Sequence, residues 1–154
     1  MTYRLLALLH VACVIVFVGN FVAAWLVWAR ARAIREPAVL RQLWGLVHLG
    51  DRWLTPVPVI GIMASGILMA RMRELSVTGT GWILWSLVAL AVSGIVFVAR
   101  LAGLQRELAT ERDPFDAVAS RRRLVSWGWW AAAGTAAVGV AIVLMVLQPA
   151  LRGF

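Results

Sequence analysis

The sequence predicts an all-α integral membrane protein: a four-helix bundle with both termini on the outer side and an interfacial amphipathic helix before the second span. Three observations predict it. Of 154 residues, 62% are hydrophobic and only 14% charged, against roughly half and a quarter in soluble domains. Four apolar runs, over residues 5–28, 54–70, 82–99 and 124–147, each have about the length that crosses a hydrocarbon core of ~30 Å. The arginines are distributed unevenly between the connections. The runs fill most of residues 1–154, which form a single domain.

The first run follows Arg4 and ends in Trp28 and Arg30 without a small-residue cleavage site, so it is expected to be a retained helix and not a signal peptide. Ahead of the second run, Pro37 suits a first helical turn. Leu40, Leu43, Trp44 and Val47 then repeat on one stripe while Arg41, Gly45, His48 and Arg52 fall on the other. That pattern is an amphipathic helix lying at the interface, with a bend into the span at Pro56 and Pro58. Gly61, Ala64, Ser65 and Gly66 in the second run, and Gly134, Ala137 and Gly139 in the fourth, offer close backbone approach. The connection from Gln105 to Arg123 mixes both charges around Asp113 and Pro114 and reads as a solvated loop with helical ends. Eight tryptophans near span ends (Trp25, Trp28, Trp44, Trp53, Trp82, Trp127, Trp129, Trp130) read as an aromatic belt.

All fifteen basic residues are arginine, which excludes lysine chemistry such as a Schiff base or a P-loop. Arg30, Arg32, Arg35, Arg41 and Arg52 precede the second run, and Arg100, Arg106, Arg112, Arg121, Arg122 and Arg123 precede the fourth; only Arg4, Arg71, Arg73 and Arg152 lie on the other side. Short positively charged connections stay in the cytoplasm, so the expected location is a bacterial cytoplasmic (inner) membrane, crossed four times, with the termini outside. A net charge of +8 interspersed among apolar runs favours the lipid bilayer over nucleic acid as the anionic partner. Other membrane subunits or a second copy of the chain are the further partners that the small-residue faces suit.

His10 carries the most information, because an ionisable side chain about 8 Å inside a span is costly and points to function. At 100° per residue, Cys13, Phe17, Asn20 and Ala24 lie within roughly 80° of its direction, which marks the inward face of the first helix. Levelling the antiparallel second run against it puts Ser65 and Gly66 opposite His10. Three uses of His10 stay open: a hydrogen bond between helices, ligation of a heme, or ligation of a metal ion. Cys13, Met69, Met72 and Met145 map to the same outer level. Imidazole, thiolate and thioether together are the set Cu(I) prefers, and a thioether can be a sixth heme ligand. Arg71 and Arg73, with Arg4 and Arg152, are the outer cations that could receive heme propionates. His48, on the polar stripe beside Arg41, Asp51 and Arg52, reads as solvated, with metal ligation the sharper alternative. No nucleophile–base pair, paired carboxylate or phosphate loop supports hydrolysis or phosphoryl transfer.

His10 followed by Phe17, Gly19 and Asn20, the Gly66-Ile67-Leu68 segment, and the closing Leu144-Met145-Val146-Leu147-Gln148-Pro149 resemble a four-helix family of predicted integral membrane proteins of unknown function. More distantly, the chain is similar to CopD-like copper proteins and HemJ-like protoporphyrinogen oxidases, whose first-span His is taken as a heme ligand. The resemblance implies a b-type heme, or copper, at His10, with a redox or electron-transfer role; the alternative is a cofactor-free subunit of a larger membrane complex. HemJ-like proteins carry lysines where this chain has Ala7 and Gln148.

Overall fold

A computed structural model describes residues 2–110 and 116–153. Arg112, Asp113 and Pro114 of the expected loop lie outside those residues. The described chain is helical: α1 (Thr2–Ala31), α2 (Pro37–Leu54), α3 (Pro56–Met72), α4 (Gly81–Val96), a π-helical turn (Phe97–Leu101), α5 (Ala102–Thr110) and α6 (Ala117–Leu147). Four rods, Thr2–Ala31, Pro37–Met72, Gly81–Thr110 and Ala117–Leu147, are long and apolar enough to cross a membrane.

The rods run beyond the four apolar runs, and the reasons are local. Pro37 and Pro56 occupy first-turn positions of α2 and α3, and the chain bends at Thr55 between them. Asp116 caps α6, accepting hydrogen bonds from the backbone N–H groups of Val118 (2.9 Å) and Ala119 (3.0 Å). The helix therefore starts at Ala117 and not at residue 124. Gln105 to Thr110 forms one of the expected helical ends of that connection, but it is not solvated throughout: Gln105 and Leu108 are buried.

α1 packs along α3 and α4 along α6, while α2 lies against α5 and α1. The arginine-rich end is solid. There Leu40, Trp44, Val47, Leu101, Leu108, Leu124, Trp127 and Ala131 form the core together with Ala24 and Ala31 of α1. Four tryptophans meet inside it: Trp25 crosses both Trp28 and Trp127 edge to face, and Trp44 crosses Trp127 at 5.0 Å between ring centroids. Trp44 and Trp127 are buried, and Trp25 and Trp28 pack half-buried against them, so these four join the core and do not form an aromatic belt. Trp53 and Trp129 are exposed as a belt requires. The reason is the amphipathic stripe of α2, which tucks Trp44 under α6.

At the end that carries both termini, the two helix pairs separate. α3 and α4 make no close backbone approach, and α1 meets α6 only briefly. The C-terminal tail ties this side together: Thr80 and Arg152 form an antiparallel bridge. A Cβ at Gly81 would lie 2.3 Å from the carbonyl oxygen of Leu151, and one at Gly153 equally close to that of Thr78. Only glycine permits the tail to lie so near the 73–80 loop. Of the expected small-residue contacts, Gly61, Gly66 and Gly134 face neighbours, whereas Gly139 faces open space and Ala64 is exposed.

Candidate functional site

Between the separated pairs lies a cavity of about 370 Å3, of the size that holds small-molecule ligands. Its walls are mostly aliphatic, from all four spanning rods. The polar groups on them are few: Tyr3, His10, Arg73, Ser86 and Gln148.

His10 is fixed from α3. Its Nδ1 lies 3.1 Å from the carbonyl oxygen of Ile62 and 3.0 Å from Oγ of Ser65. A carbonyl only accepts, and the Ser65 hydroxyl donates its own proton to the Gly61 carbonyl at 2.5 Å. The proton of the imidazole is therefore on Nδ1, shared between two acceptors. Nε2 keeps its lone pair and has no hydrogen-bond partner among the described residues. Gly66 leaves the ring its space, since a Cβ there would stand 3.3 Å from Cε1 of His10. A histidine whose Nδ1–H is held by a backbone carbonyl, with a free Nε2, is the arrangement that orients imidazole ligands in metalloproteins.

The other expected residues are placed unequally. Arg73 lines the cavity and lies over the Tyr3 ring at 4.8 Å, whereas Arg71 is not on its wall. Met69 and Met145 line the same cavity from α3 and α6. Cys13 instead abuts Gly61, where a Cβ would come within 2.4 Å of its sulfur. Met72 is exposed, and His48 lies on α2, off the cavity wall. Among the described residues no group of three His, Cys, Asp or Glu side chains is gathered as a metal site.

A second polar cluster went unforeseen. Asp51 was read as part of the polar stripe of α2 but is 9% exposed and turns inward. Its Oδ1 accepts from Asn20 of α1 and from the Thr55 hydroxyl (3.2 Å), and its Oδ2 accepts from Nε2 of Gln105 at 2.7 Å. The signal was present in the spacing, because Asp51 follows Trp44 and Val47 by seven and four residues, on the buried stripe itself.

A family model described as a predicted integral membrane protein matches residues 4–149 of the chain. No curated protein and no solved structure matches it.

Proposed function

The chain belongs to the DUF2269 family of predicted integral membrane proteins, and on that premise we propose that it is a membrane-embedded electron-transfer protein holding a b-type heme at His10. The observation that carries this reading is the placement of His10: Nδ1 within hydrogen-bond distance of the Ile62 carbonyl and Ser65 Oγ, and Nε2 without a partner among the described residues, on a residue that lines an apolar cavity. The residues present suit the group. His10 would supply a ligating nitrogen, Gly66 the clearance beside it, Met69 of α3 or Met145 of α6 a thioether, and Arg73 a cation for a carboxylate. A bound heme would supply one-electron exchange between ferric and ferrous iron. Ser65 and Ile62 keep the imidazole from rotating, and the aliphatic walls exclude water. The resemblance to HemJ-like proteins at His10 points the same way.

Copper has weaker support, because its donors are dispersed: Cys13 faces Gly61, Met72 is exposed and His48 lies on α2. The excess of arginine at the core-packed end supports a cytoplasmic assignment for that end in a bacterial inner membrane, which puts the cavity toward the outer face. The rival reading is a cofactor-free subunit of a larger complex or homo-oligomer, favoured by the same two bonds of His10, since they already satisfy it as a tie between α1 and α3.

Purified protein from heme-supplied cells should show a Soret band and bind hemin one to one. His10→Ala should abolish both with the protein still inserted, and His48→Ala should leave both unchanged. Equal hemin binding by wild type and His10→Ala, or none by either, transfers the assignment to the subunit reading.

A further inference from the structure

The Asp51 cluster stands apart from the cavity, at about ten residues or ~15 Å of helical rise from His10 along both α1 and α3. Asn20, which binds Asp51, lies eight residues inside the apolar run that ends at Trp28, whereas Asp51 precedes the 54–70 run by three residues and Gln105 follows the 82–99 run by six, so the cluster lies where the spans meet the arginine-rich end. A carboxyl buried there is costly without a counter-charge.

Its partners are all neutral. α1 presents Asn20, α3's capping residue Thr55, and α5 presents Gln105. The one titratable group in electrostatic reach is His48, one turn earlier on α2; Arg52, the adjacent cation, is exposed. Asp51 has no ion-pair partner among the described residues. The ionised carboxylate is thus held by three donors and favoured by His48 but has no ion pair among the described residues, so hydrogen bonding favours the anion while burial opposes it.

A neutral carboxylic acid at this place would need an acceptor for its O–H. Gln105 has one in reserve. The residue is 1% exposed, and its Oε1 is buried with no partner. Rotating the amide by half a turn exchanges Nε2 for Oε1 opposite Oδ2 of Asp51. Either orientation leaves one amide atom of Gln105 unpaired, so hydrogen bonding at this residue penalises neither charge state. We propose that Asp51 is a proton-exchanging site, a carboxyl buried between helices that takes up and releases one proton, with Gln105 serving as donor to the anion and acceptor to the acid. The balance is a protonation equilibrium: the proton adds to one carboxylate oxygen and returns to water from the same atom. It holds whatever the cavity contains.

Carboxyl 13C NMR of aspartate-labelled protein in lipid nanodiscs tests this. The chain has three aspartates, and Asp51-Arg52 is its one Asp-Arg step. Labelling with 13C-aspartate and 15N-arginine therefore identifies the Asp51 resonance without any variant. It should move from the carboxylate to the acid position as pH falls while the protein stays folded. Asn20→Ala removes a donor to the anion and should raise the midpoint by about one pH unit, whereas Gln105→Leu, which removes the donor to the anion and the acceptor for the acid together, should move it less. A resonance that stays at either position throughout, or a midpoint that neither substitution moves, overturns the proposal and leaves Asp51 a structural tie.

Discussion

Glu74 ends α3 with φ of 57°, in the left-handed region where side chains other than glycine are strained. The backbone explains why it is held there. The N–H of Leu75 reaches back to the carbonyl of Ala70 (2.9 Å) and that of Glu74 to Arg71 (3.0 Å), the paired bonds that close a helix around a left-handed residue. Glu74→Gly keeps the bonds and removes the strain. It should stabilise the protein by about 1 kcal/mol and raise its melting temperature in detergent by about 3 °C. Gln148 closes α6 in the same conformation, with φ of 45°, immediately before Pro149. Its side chain reaches the cavity wall. Relief of strain there would also change the cavity, so Glu74 is the cleaner test of backbone strain.

Among the elements, α6 depends on a missing side chain at its contact with α1. A Cβ at Gly128 would fall 2.6 Å from the Trp28 ring, which cannot withdraw because its Nε1 donates to the Leu124 carbonyl at 2.7 Å and its face meets Trp25. Gly128→Ala should cost about 2 kcal/mol of stability and change the tryptophan fluorescence of the cluster. Gly139→Ala, on the same helix with open space around it, should be neutral or stabilising by up to about 1 kcal/mol. A differential of the opposite sign in thermal melts would contradict the packing described. These two glycines also mark how far the elements were legible from sequence. The four spans, the inward face of α1, the stripe of α2 and the apposition of His10 with Ser65 and Gly66 all follow from helical period and antiparallel levelling. The starts and ends of the rods do not, since Asp116 and the 102–110 extension are polar and hydropathy sees only lipid-facing chain. Asp51, Gln105 and the four-tryptophan core were hidden for a related reason: a polar or amphipathic residue at a span end fits the interface equally well until its partner from another helix is known. Arg73 and Arg71 were indistinguishable by charge, and only the end of α3 decides which one reaches the cavity.

At the scale of the molecule, one end is packed and the other is divided, and the excess of arginine lies at the packed end. Single cysteines at Ser76, in the 73–80 loop, and at Arg35, in the 32–36 connection, introduced into a Cys13→Ala background, should label from opposite sides of sealed vesicles. Ser76→Cys should react with a membrane-impermeant maleimide from outside, and Arg35→Cys only after permeabilisation. Labelling of both from one side would refute the spanning arrangement. The π-helical turn at Phe97–Leu101 separates the length of rod that pairs with α6 from the length that meets α2. Such a turn is one residue more than an α-helix needs over the same rise. Deleting a single codon within it would return this stretch to a regular α-helix of the same rise, leaving Gly81–Val96 in phase with α6 and Gln105 still facing Asp51. The rod can therefore lose one residue here, by a three-nucleotide event, with the buried polar knot intact.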